Sequence, residues 1–363
     1  MMRSVLALDS RRIRSLSDLE GRVGSWLPLA PHWRPAIAWM LTVLWATLTG
    51  CTASHHATRP ANLGQLADLA RLEALVGEPG PIRFERVSAA DWHVSRSGLI
   101  NFDHPRAREA GIEDGPEAIE VFFYVLEHPV FGDYLVDSGV ASGFQREGGN
   151  PDVSFLVESA MKTETLAIHT TTKDWLAKRD RPVSGVFLTH IHLDHVMGLP
   201  DLPGETKVYV GPGETEATGF LNLFTRGTID RMLAGIGPLH VWSFAGPNSS
   251  GAPGETPNVN ADPSPPTAPT PPTPPMLDVF GDGSLWAFHV PGHTPGSVAF
   301  LVRTAEGPRL LVGDNSHTRW GWENGVEPGT FTADHERNAE SLRWLRTFAE
   351  GHPEMEVFLG HQR

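Results

Sequence analysis

The apolar run Val186-Phe187-Leu188-Thr189 leads directly into His190-Ile191-His192-Leu193-Asp194-His195, so three imidazoles and a carboxylate share one tight loop at a strand end. Alternate side chains of an extended segment lie on one face. His190 and His192 can therefore bind one ion, while Asp194 and His195, on the turn that follows, reach a second. One loop can seed two metals, but it completes neither coordination shell. Three later segments offer the missing ligands, each after an apolar, strand-like run: His293 in Pro291-Gly292-His293-Thr294-Pro295-Gly296, Asp314 in Leu310-Leu311-Val312-Gly313-Asp314, and His361 in Phe358-Leu359-Gly360-His361. Ligands so far apart along the chain must converge on one site, which argues for a single catalytic domain. Histidine and carboxylate without cysteine suit zinc, but also manganese, cobalt or iron.

The rest of the chain supplies elements for such a domain. Residues 119–126 and 132–137 read as two strands joined by the turn His128-Pro129-Val130-Phe131-Gly132, and they deliver Asp137 toward the site. A strand over 285–290 presents His293, a helix spans about 333–350, and a last strand covers 356–359. Alternating strands and helices fit a layered α/β architecture. Ahead of the catalytic domain at 81–363, residues 52–60 read as a spacer. Residues 63–76, with leucine at every third position, read as a short surface helix. Residues 246–276 hold eleven of the chain's 31 prolines and almost no apolar side chains, as expected of a disordered or polyproline insertion.

These blocks, with Val136-Asp137-Ser138-Gly139 as a further one, resemble the metallo-β-lactamase superfamily from about Pro81 to Arg363. The resemblance implies a four-layer αββα sandwich. It also implies two divalent ions, zinc first among the candidates: one held by His190, His192 and His293, the other by Asp194, His195 and His361, with Asp314 bridging both. Asp137 would orient a ligand histidine by a hydrogen bond. Two ions about 3.5–4 Å apart can hold a bridging water whose pKa falls to roughly 7. Asp194, beside the leaving group, would shuttle the proton.

Within the superfamily, true β-lactamases lack a carboxylate at the place of Asp314, and flavin-linked diiron members carry Glu at the place of His192. Lactonases, thioesterases of the glyoxalase II type and phosphodiesterases remain. The segment 278–302, with Gly281-Asp282-Gly283, is most similar to bacterial N-acyl-homoserine lactonases, so a lactone is the expected substrate. A non-catalytic zinc-binding lipoprotein is the alternative from another class. The resembled lactonases have a tyrosine three residues after the bridging aspartate, hydrogen-bonded to substrate. His317 stands there in this chain and joins Asp194 as a catalytic candidate. Trp320 and Trp322, close by, either line an apolar pocket or join the core.

At the other end, residues 36–50 form an uncharged, mostly apolar stretch after an arginine-rich leader. It is shorter than the roughly twenty residues of a membrane span and suits a signal-peptide core. It ends in Leu48-Thr49-Gly50-Cys51, which looks like a lipobox, and Cys51 is the only cysteine. Residues 1–51 are thus expected to be a signal peptide ending at a lipidated Cys51. The product would be an exported lipoprotein, anchored on the periplasmic side of the outer membrane or at the cell surface. Of 29 Lys+Arg and 43 Asp+Glu, residues beyond Cys51 keep 23 and 40. So acidic a surface repels phosphate backbones, which argues for a small-molecule substrate and against nucleic acid.

Overall fold

The computed structural model describes residues 51–147, 149–219, 221–245 and 272–362. The apolar leader and most of the proline-rich insertion lie outside the described residues. Thr52–Ala217 and Phe224–Arg363 make up one compact unit.

Fourteen strands among the described residues, β1 to β14 in chain order, form two sheets. The first sheet contains β1 (Thr58–Pro60), β3 (Arg83–Ser95), β4 (Pro116–His128), β5 (Gly132–Val136), β6 (Ala167–Ile168), β7 (Val183–Phe187), β8 (Lys207–Val210) and β9 (Leu239–Val241). Its order is β1-β9-β8-β7-β5-β4-β3-β6. The second contains β2 (Gln65–Ala67), β10 (Met276–Asp278), β11 (Leu285–His289), β12 (Val298–Thr304), β13 (Gly307–Leu311) and β14 (Glu356–Phe358), in the order β14-β13-β12-β11-β10-β2.

Period-two alternation explains why these two sheets stack. In β4, Val121, Phe123 and Val125 face one core, while Phe122, Tyr124 and Leu126 face another. The first of these cores lies under helices, with Val157, Trp175, Ile229 and Met232 packed on the outer face of the first sheet. The second is shared with Leu285, Ala287, Phe300 and Val302 of β11 and β12, and so fills the space between the sheets. A third core joins the opposite face of the second sheet, Trp286, Phe288 and Leu301, to Trp344, Leu345 and Phe348. Those last three belong to the helix His335–Gly351, whose cap residue Asp334 accepts the Arg337 N–H. Three cores between four layers are the αββα sandwich expected from the sequence.

The segment 52–80 differs from expectation. Residues 58–60 are not a free spacer: they form β1, an edge strand parallel to β9, with Arg59 hydrogen-bonded to His240. The helix expected over 63–76 is instead β2, paired with β10, followed by the shorter helix Leu69–Glu73. Asp68 accepts the Arg71 N–H and caps that helix, which therefore cannot begin earlier. The residues before the expected domain boundary thus contribute a strand to each sheet. The hairpin β4–β5, the strand β11, the helix His335–Gly351 and the final strand β14 lie where the sequence pattern puts them.

Candidate metal centre

β5, β7 and β8 run parallel, and their ends open on one edge of the sandwich. β11, β13 and β14 of the second sheet also run in a common direction. Five of these six strands hand a polar residue to that edge: Asp137 after β5, the loop from His190 after β7, His293 after β11, Asp314 after β13 and His361 after β14. The two sheets are tied together there by the Val298 N–H, which donates to the Thr189 carbonyl.

The seven expected ligands converge. His190, His192 and His293 form one set whose ligand atoms lie within 4.8 Å of one another, and Asp194, His195, Asp314 and His361 form a second. Asp314 Oδ2 is the hub. It lies 3.6 Å from His190 Nε2, 3.3 Å from His195 Nε2, 3.5 Å from His293 Nε2 and 3.4 Å from His361 Nε2. His361 Nε2 is also 3.1 Å from Asp194 Oδ2, and His293 Nε2 is 2.9 Å from His192 Nδ1.

The far side of each ring fixes the orientation of its ligand nitrogen. His195 Nδ1 is 2.9 Å from Asp137 Oδ2, the hydrogen bond implied by resemblance for Asp137. His361 Nδ1 donates to the Glu120 carbonyl, and the His361 main-chain N–H donates to the His317 carbonyl, so a residue near the chain end is held on both sides. His190 Nδ1 and His293 Nδ1 meet the hydroxyls of Thr189 and Thr332. What remains inside is unpartnered: among the described residues, His190 Nε2, His195 Nε2 and Asp314 Oδ1 are buried without a hydrogen bond. Leaving such groups bare costs about 1–3 kcal/mol each, a cost that divalent cations would remove. The donor set fits a pair of them.

Electrostatics draw positive charge to the same place. Burial, reinforced by neighbouring imidazoles, holds His190 and His293 well below the usual histidine range, the neutral form a metal requires. Burial alone would raise Asp314, but His317, His195, His361 and His190 outweigh it and keep the carboxyl ionised. Burial would likewise neutralise His195, yet Asp314, Asp137 and Asp194 prevail and hold its pKa well above the ordinary value.

Sequence reasoning did not find Glu214. It follows β8, is 1% exposed, and accepts the N–H of Ile191 at 2.9 Å, the N–H of Gly296 at 2.8 Å and the hydroxyl of Thr294. It therefore braces the His190 loop against the His293 loop. Its place after a strand that neighbours β7 in Gly211-Pro212-Gly213-Glu214 is the signal that could have pointed to it. His317 does face the site, with Nε2 2.9 Å from Asp314 Oδ2. Trp320 and Trp322 do not line an apolar pocket together: each is partly buried against a different core. Cys51 is buried.

The model of the metallo-beta-lactamase superfamily matches residues 121–361 of this chain. An N-acyl homoserine lactonase AttM of Agrobacterium fabrum is 42% identical over 85 residues, 23% of this chain and 32% of that relative. The match thus spans about a third of the relative's length. The AttM of Azorhizobium caulinodans is 29% identical over 238 residues, 64% of this chain and 78% of its own. Among solved structures, a quorum-quenching N-acyl homoserine lactone lactonase superposes with a TM-score of 0.52 at 16% identity, covering 79% of this chain and 94% of its own. A B. thuringiensis AiiA mutant with N-decanoyl-L-homoserine bound gives 0.51 at 17%, over 77% and 92%. At such identities these two structures speak for the fold alone.

Proposed function

The chain belongs to the metallo-beta-lactamase superfamily, and from that premise we propose that it is a dinuclear metal-dependent hydrolase that opens a lactone such as an N-acyl-homoserine lactone. The observation that carries the reading is the convergence of two ligand sets on Asp314 Oδ2, with His190 Nε2 and His195 Nε2 buried and without a hydrogen-bond partner. The AttM lactonases among its relatives favour the lactone over a thioester or a phosphodiester.

When bound, a pair of divalent ions supplies Lewis acidity toward a carbonyl oxygen and a water acidic enough to react at neutral pH. His190, His192, His293, Asp194, His195, Asp314 and His361 would hold that pair, zinc first among the candidates. Hydrolysis joins a water oxygen to the lactone carbonyl carbon, breaks the ring C–O bond and leaves a proton for the departing alkoxide. Asp194 is suited to carry that proton. Burial raises its pKa, but His195 and His361 outweigh burial and keep it ionised, so it can hold a proton only in passing and hands it on at once. Asp137 keeps the His195 ring turned so that Nε2 faces inward.

The test is acid release from a long-chain N-acyl-homoserine lactone by zinc- or manganese-loaded protein, with His190→Ala as control and thioester and phosphodiester panels alongside. Metal-dependent release lost in the control supports the lactonase. Turnover of another panel alone transfers the site to that substrate, and bound metal with no turnover at all points to a zinc-binding protein. For location, we propose export and anchoring through a lipidated Cys51. Labelling by an alkyne fatty acid in a bacterial host, absent from Cys51→Ala, would bear this out. Unlabelled wild-type protein would overturn it.

A further inference from the structure

His317 is 3% exposed, and neither Nδ1 nor Nε2 finds a hydrogen-bond partner among the described residues. A histidine away from the site is satisfied differently. His128, equally buried, accepts the N–H groups of Val130 and Phe131 on Nδ1 and meets Asp282 on Nε2. A buried imidazole with one nitrogen bare and the other against a carboxylate oxygen without a formed hydrogen bond is costly unless something else occupies them.

Its surroundings say what that is. Nε2 lies 2.9 Å from Asp314 Oδ2, shorter than the contact of any of the four other imidazoles around that oxygen. The ring sits between two expected ligands, its centroid 5.2 Å from those of both His293 and His361. The ligand atoms of His293, Asp314 and His317 lie within 4.8 Å of one another, a span one cation can bridge. Main-chain bonds set the loop: Gly360 N–H donates to the Ser316 carbonyl and His361 N–H to the His317 carbonyl. His317 is therefore registered to the same tail that presents His361.

We propose that His317 is itself a metal ligand, an eighth donor on the Asp314-bridged pair, shared with the ion that His293 holds. The inference rests on the metal-centre reading above. It replaces the hydrogen-bond role toward substrate implied by resemblance, because an imidazole nitrogen bound to a cation has no proton to donate from that atom. A further imidazole donor favours borderline ions such as zinc and cobalt over magnesium or calcium.

The experiment is metal titration of full-length wild type, His317→Gln and His317→Tyr against a chromophoric chelator. Cobalt(II) visible spectra are recorded in parallel, with circular dichroism to verify folding. Ligation predicts that one of two ions binds at least about tenfold more weakly in both folded variants, with a changed cobalt spectrum. Tyrosine keeps a hydrogen-bond donor, so wild-type affinity and spectrum in His317→Tyr, with loss of turnover only in His317→Gln, would overturn ligation in favour of substrate contact. Unchanged binding in both variants would overturn it outright. Wild-type protein that takes up no ion would overturn the metal-centre reading along with it.

Discussion

Glu214 Oε2 accepts the main-chain N–H of Ile191, the residue between His190 and His192, while its other oxygen takes the N–H of Gly296. One buried carboxylate thus ties together two loops that come from different sheets. Glu214→Gln keeps the shape but turns one acceptor into an NH2 group, which must face an N–H or lose a partner. We expect a loss of about 2–3 kcal/mol in stability and a reduced metal content. Thermal unfolding and elemental analysis check this, and wild-type values in both would dismiss the bracing role.

Burial pushes the same carboxyl up to about 7 from the ordinary 4.5, against the hydrogen bonds from Thr294, Ile191 and Gly296. A carboxyl whose folded pKa is raised favours folding while protonated. Its contribution is full below about pH 4.5 and is lost as pH rises through 7, by something on the order of 3 kcal/mol. In chelator-treated protein, the stability of wild type relative to Glu214→Gln should therefore fall between pH 4.5 and 7 and level off above. Urea unfolding across that range measures it, and a pH-independent difference would contradict the assignment.

The ligand loop, the hairpin β4–β5 and the helix His335–Gly351 were legible in the sequence because each writes its geometry locally, as a motif, an alternation or a capped apolar stripe. β1 and β2 were not. Each is three residues long and β1 is wholly exposed, so neither shows an alternation against a core. Their pairing with β9 and β10 is decided by sheet edges formed far along the chain. The candidate ligand set was readable because metals need particular side chains. Glu214 was hidden because two of its partners are peptide N–H groups, which leave no mark on residue identity.

Asp137 sits at φ 61° and directs His195 through Nδ1, with Thr189 N–H as its second partner. Asparagine tolerates that left-handed conformation, so Asp137→Asn removes the charge while leaving the backbone in place. Metal affinity should drop about 10–100-fold with little change in the metal-free melting temperature. Asp137→Ala should lose stability as well, by about 1–2 kcal/mol, because alanine is strained at that angle. Chelator competition and thermal scans separate the two effects, and equal melting temperatures for both variants would contradict the backbone part of the argument.

Gly360 is needed for space. A Cβ built there collides with Asp314 Oδ1 and comes within 3.0 Å of the Gly313 carbonyl, and its φ lies outside the left-handed region. Gly360→Ala therefore adds no backbone strain, and all of its effect must pass through displacement of the Asp314 carboxylate or of the His361 segment. Asp314 Oδ2 is the atom on which both ligand sets meet, so a shift of even a few tenths of an ångström disturbs both at once. The substitution should weaken metal binding by at least about tenfold, as expected for a disturbed ligand shell. The metal-free fold should lose little, because Gly360 belongs to a tail after β14 and not to the packed cores. Measured together, zinc affinity and the chelated protein's melting temperature test this directly. A variant that binds two ions normally would mean that Asp314 moves freely and is not the fixed centre of the site.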